Sequence, residues 1–193
     1  MSSFPEEGAR RRPLPRATPW LLLSRWVAAA RRVPLEPEDD AWARALLTPA
    51  ERVLWETLPL VDRRHSVEVA RHLQRRLAAT AYAEDALWLG AALMHDVGKV
   101  PAGLSAAGRA MAAVLSKVIR VATARRWARR AGGFRRRLGC YLVHGEVGAA
   151  LIREAGGREP VAAWTEVHQA YRGAGTLSIP KVVVEALYQS DFR

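Results

Sequence analysis

Apolar residues recur along most of this chain at helical spacing, and the breaks between the periodic stretches are marked by proline and glycine. The clearest start signal is Thr48-Pro49-Ala50-Glu51: a threonine able to cap, a proline at the first helical position, and a glutamate placed to close a capping box. Pro59 ends that helix. Asp62 can cap the next, expected over 62–79, where His65, Val69, Leu73 and Leu77 share one face at spacings of four. Residues 84–95 are apolar nearly all round, the pattern of a buried helix. A Lys-Val-Pro turn then leads into an Ala/Arg-rich helix expected over 105–131 and stopped by Gly132-Gly133. Further helices are predicted over 141–155, over 160–171 and from 180 to Tyr188 or beyond. Val182-Val183-Val184 would also suit a strand, but no alternating segment stands nearby to pair with it.

The first part of the chain reads differently. RRRPLPRATP is extended and Pro-rich, WLLLSRWVAAARR suits one short helix, and VPLEPEDD is a Pro-bounded acidic linker. The pattern therefore predicts an all-α protein, with an N-terminal arm over 1–47 and a single helical domain over 48–193.

Composition agrees with a packed domain: of 193 residues, 50% are hydrophobic and 25% charged. No run of uninterrupted apolar residues reaches the roughly 18 that a membrane-spanning helix needs. The single cysteine, Cys140, excludes a disulfide framework within the chain and a zinc site of several thiolates, so a reducing, cytoplasmic setting is expected.

The formal charge of +11 is not spread evenly. Between Val97 and Gly145 there is no acidic residue but 11 basic ones, and the remainder of the chain is formally neutral. Within this segment Met111, Val114, Leu115, Val118 and Ala122 form one apolar stripe of the expected helix, while Arg125, Arg126, Arg129 and Arg130 gather toward its end. Three readings stay open. The segment is a solvated face, or a peripheral contact with anionic lipid at the inner face of the membrane, helped by Trp127 and Phe134. Alternatively it collects an anionic, phosphate-containing substrate, with Arg125 and Arg129 as the anion-binding residues. No nucleic-acid motif accompanies the charge, so no sequence-specific nucleic-acid partner is expected.

Candidate chemistry comes from the histidines. Of five, His65, His95, His144 and His168 each fall on the apolar face of a different predicted helix, and Asp96 follows His95 directly. Four buried imidazoles and a buried carboxylate each need a partner or a compensating charge, and a divalent metal supplies both. Such donors suit Fe, Mn, Zn, Ni or Co and not calcium. His72 lies seven residues after His65, about 10.5 Å along the axis at 1.5 Å per residue, too far to share one ion.

LMHDVGKVP, with a histidine upstream in RRHSVEVARHL and an aspartate downstream in ALYQSDFR, resembles the HD-domain superfamily of metal-dependent phosphohydrolases. HDVGK at 95–99, HGEVG at 144–148 and VHQAYRGAGTLSIP at 167–180 are similar to a degenerate form of its HD-GYP branch. Val61, Val167, Gln169 and Gly175-Thr176-Leu177 depart from that branch's pattern. The resemblance implies a single HD-type helical domain with one or two divalent transition-metal ions. His65, His95, Asp96 and Asp191 would hold one ion, and Asp96, His144 and His168 the other. It implies a phosphohydrolase acting on a phosphoester or phosphodiester such as a nucleotide, with Asp96 and Lys99 catalytic and Lys99 donating to phosphate. Gly98-Lys99 stands where the stringent-response branch carries an acidic pair, which argues against guanosine-tetraphosphate hydrolysis. The departures keep a second reading open, a catalytically weak or inactive signalling or scaffold module.

Overall fold

Every regular element in the computed structural model, which describes residues 34–129, 133–169 and 177–191, is helical. In chain order these are α1 (Pro37–Leu46), α2 (Pro49–Glu56), α3 (Leu60–Arg76) and α4 (Ala86–Met94), then a short 3₁₀ segment (Val97–Ala102). They continue with α5 (Ala106–Leu115), α6 (Val121–Ala128), α7 (Gly133–Leu142), α8 (His144–Glu154), α9 (Glu159–Val167) and α10 (Lys181–Asp191). The triple valine is helical, inside α10.

The organising element is α4. All its residues from Trp88 to Met94 are buried, as its all-round apolar sequence requires, and α1, α3, α9 and α10 pack against it. A smaller apolar cluster of Ala102, Leu104, Ala112, Leu138 and Cys140 lies beneath α5 and α7. The described residues belong to one unit spanning 32–193.

The capping box at Thr48 forms as expected and does more than start α2. Thr48 Oγ1 accepts from Glu51 N–H, and Glu51 accepts from Thr48 N–H. Glu51 is fully buried and also takes the Arg158 guanidinium at 2.7 to 3.1 Å and the Arg158 backbone N–H at 3.0 Å. The start of α2 is thereby tied to the start of α9. Burial works to raise the Glu51 pKa, but the Arg158 and Thr48 donors outweigh it and hold the carboxyl below its ordinary value. A depressed carboxylate contributes stability that is complete above its ordinary 4.5 and is lost as pH falls through the lowered native value. Glu51→Gln is expected to cost about 2 kcal/mol at neutral pH and to flatten the acid limb of the stability curve, as read by urea unfolding against pH.

Four local expectations are corrected. The acidic 33–40 linker is in part helix: Pro37 sits at the first position of α1, Asp39 accepts from Arg71 at 2.8 Å, and that guanidinium lies 3.6 Å from the Trp42 ring centroid. With Ala43 and Leu47 buried, α1 belongs to the domain and not to the arm; the short helix expected over 20–32 lies outside the described residues. Asp62 is not a cap. It sits in the first turn of α3, which starts directly after Pro59, and its two oxygens receive Arg109 at 2.6 and 2.7 Å. The single helix expected over 105–131 is two helices, α5 and α6, separated at Ser116–Arg120 by a turn in which the Val118 and Ile119 N–H groups both reach back to Leu115 O. Two adjacent β-branched residues weaken helix there. The turn also lets α6 lie against α7 at Gly139, where a Cβ would stand 2.5 Å from Ala128 N. Finally, the helix expected over 141–155 is broken at Val143, so His144 begins α8 and does not lie within a continuous helix.

Candidate metal centre

Three of the four histidines sit at helix boundaries. His95 caps the C-terminus of α4, His168 caps that of α9, and His144 follows the end of α7. Each turns its Nδ1 back to a carbonyl three residues earlier, at 2.7 Å in all three cases: Ala92 for His95, Tyr141 for His144 and Thr165 for His168. A carbonyl only accepts, so each Nδ1 carries the proton and each Nε2 presents a lone pair to the interior. Three carbonyls that a helix end would leave unpaired are satisfied in the process. Histidines that ligate metals through Nε2 are oriented by this kind of Nδ1 hydrogen bond.

The Nε2 atoms converge. His144 Nε2 and His168 Nε2 are 3.2 Å apart, and Asp96 Oδ1 lies 3.2 Å from the first and 4.0 Å from the second. Asp96 Oδ2 faces the other way, 3.4 Å from His95 Nε2. Asp191 Oδ1 lies 3.5 Å from His95 Nε2 and 3.3 Å from His65 Nε2. Two trios result, His65/His95/Asp191 and Asp96/His144/His168, with donor atoms within 4.8 Å of one another in each. The second trio is buried throughout.

Lone pairs and carboxylate oxygens facing one another repel, and His95 Nε2 is buried without any hydrogen-bond partner. Only cations resolve such a cluster. With protons as the only cations, the imidazoles divide sharply. Burial, the largest influence, lowers His95, but Asp96 and Asp191 together outweigh it and push it up to about 10. Burial and the charges of His144 and His95 push His168 down to about 3. The C-terminal ends of α4 and α9 add their negative dipole ends at the same place. The donor set, its orientation and its field all fit divalent metal, so these buried His and Asp groups can hold it.

No family model, curated protein or solved structure matches this chain.

The six metal-site candidates from the sequence, His65, His95, Asp96, His144, His168 and Asp191, are therefore brought together. Asp191 is placed by α10, whose last residue it is. His72 is in neither trio, as its offset from His65 demands. Lys99 is partly buried beside the cluster and committed to Asp96 Oδ2 at 2.5 Å, with its ammonium 6.0 Å from the Tyr141 ring centroid. Burial works against the Lys99 charge, and Asp96 more than restores it. Arg125 is exposed and engaged with Glu146 at 2.8 and 2.9 Å, while Arg129 Nε, among the described residues, reaches only the Arg125 carbonyl at 3.4 Å.

The sequence reading missed the residues that make the convergence possible. A Cβ on Gly98 would stand 1.9 Å from the His144 carbonyl oxygen, one on Gly145 2.8 Å from the Thr165 oxygen, and one on Gly148 2.9 Å from Thr165 Cγ2. The 3₁₀ segment, α8 and α9 approach backbone to backbone because these positions have no side chain. The signal was present, since all three glycines stand inside the HDVGK and HGEVG strings.

Proposed function

We propose that this chain is a metal-dependent phosphohydrolase of the HD type, acting on a phosphoester or phosphodiester, with a nucleotide the favoured substrate class. One observation carries the proposal. The adjacent His95 and Asp96 belong to different donor trios, with Asp96 Oδ2 toward His95 and Oδ1 toward His144 and His168. A doublet arranged in this way suits two nearby divalent ions, and metal pairs are suited to displacement at phosphorus.

His65, His95 and Asp191 would hold one ion, His144 and His168 the other, and Asp96 would serve both. Bound divalent transition ions (Fe, Mn, Zn, Ni or Co) would supply Lewis acidity toward a phosphoryl oxygen and acidify water near neutral pH. The chain's own residues supply the rest. The Nδ1 hydrogen bonds hold three imidazoles in one tautomer, and burial of the second trio keeps bulk water from competing for the donors. Lys99 holds a positive charge against Asp96, and a phosphate oxygen entering beside it would find a donor in a partly desolvated site.

Manganese-loaded protein is expected to hydrolyse members of a panel of nitrophenyl phosphomonoesters, phosphodiesters and nucleotides. His95→Ala should lower kcat/KM by about 100-fold or more. Absence of turnover by metal-replete protein across the panel, or turnover indifferent to His95→Ala, would contradict the proposal.

A further inference from the structure

The acid-free segment does not fold away its apolar stripe. Met111, Val114, Val118 and Val121 are 46, 62, 75 and 55% exposed, a run of aliphatic side chains along α5, the following turn and the start of α6. Phe134, at the start of α7, is also exposed. Single exposed apolar residues are ordinary on any surface, but four along one corner are not scattered. The two nearest the turn stand beside charge. Lys117 and Arg120 flank Val118 in the turn, and among the described residues Lys117, Arg120, Arg126, Arg135 and Arg136 are exposed and make no ion pair. The other basic residues of the segment include several already engaged: Lys99 with Asp96, Arg109 with Asp62, Arg125 with Glu146 and Arg137 with the Ala102 carbonyl.

We infer that the surface of α5, the 116–120 turn and the starts of α6 and α7 docks on an anionic lipid bilayer. Aliphatic side chains enter the headgroup boundary while unpaired lysine and arginine meet lipid phosphates, the combination that interfacial segments use. Charge complementarity selects this occupant. Residues 1–33 of the chain carry seven arginines against two glutamates, so that arm has the same sign as the face. A second copy presents the same basic surface. A nucleic-acid backbone would satisfy the charge but gains nothing from four exposed aliphatic side chains, and Phe134 by itself is no row of stacking platforms such as single-strand binders use. Docking here is independent of the proposed chemistry.

The full chain is expected to co-sediment with vesicles containing about 30% phosphatidylglycerol, to ignore pure phosphatidylcholine, and to release as ionic strength rises from about 0.1 M to about 0.5 M. Lys117→Glu with Arg120→Glu should weaken partitioning by about tenfold or more. Val114→Ser with Val118→Ser should weaken it by about fivefold while leaving bound metal unchanged. All four positions are exposed, and unchanged circular dichroism and melting temperature verify folding of each variant. Four results would overturn the inference: no anionic-vesicle binding by the parent chain, vesicle binding that neither double variant reduces, RNA capture without vesicle binding, or a dimer dissolved by the valine changes without vesicle binding.

Discussion

Asp96→Ala is expected to strip metal from both trios together, with affinity falling by about 100-fold or more at each. The two oxygens of this one side chain have different partners, Oδ1 with His144 and His168, Oδ2 with His95 and Lys99. His95 also lies between the halves, 3.4 Å from Asp96 and 3.5 Å from Asp191, but through a single nitrogen, whereas Asp96 offers a separate oxygen to each. The variant also leaves the Lys99 ammonium without its counter-charge in a position only 18% exposed, which is expected to cost about 2 kcal/mol in the metal-free protein. Asp96→Asn keeps the shape and removes the charge. Isothermal titration with Mn or Zn should therefore show the same loss of affinity for both variants, whereas an alanine variant binding two ions with parental affinity would remove Asp96 from the centre.

The second large effect concerns a residue that binds nothing. Glycine to alanine inside helical structure ordinarily stabilises, by about 0.5–1 kcal/mol. At Gly98 the sign is expected to reverse, with a loss of about 4 kcal/mol, because the added Cβ would lie 1.9 Å from the His144 carbonyl oxygen and 2.5 Å from Gly148 N. Both neighbours are backbone and cannot swing aside. For a chain of this size the loss corresponds to about 10 °C in melting temperature. Gly156→Ala is the comparison: its φ of 77° disfavours a side chain, but no atom lies within 4 Å of the added Cβ, so about 1 kcal/mol is expected. A loss at Gly98 no larger than that at Gly156 would show that the close approach of the 3₁₀ segment to α8 does not set the cost.

Position 98 also shows where sequence reasoning reaches and where it stops. The apolar-face register turned four histidines inward, and the structure buries His95, His144 and His168 while His65 keeps a quarter of its side chain exposed; the register was legible because a helix's buried stripe is a local property written at spacings of three and four. It treated His144 and His168 as residues within helices. In the structure they stand at helix boundaries, where each Nδ1 can take a nearby carbonyl. That difference decides which nitrogen faces the cluster, and it depends on breaks at Val143 and after Val167 that no proline or glycine marks. The Thr48 capping box was legible for the same local reason. Ties between distant segments were not. Glu51 to Arg158 and Asp62 to Arg109 span 107 and 47 positions, and a charged residue in a helical pattern gives no sign of being buried against a partner that far away. The long basic helix failed because composition favoured helix throughout 105–131, while packing of α6 on α7 at Gly139 required a corner.

The central claim is that this cluster is a metal centre, and elemental analysis of the full chain tests it most directly. Protein produced in metal-replete medium and purified without chelator should carry one to two equivalents of a transition metal per chain, with Asp96→Asn prepared in parallel carrying less than about a tenth of that. Parent protein that emerges folded and metal-free from the same preparation would contradict it.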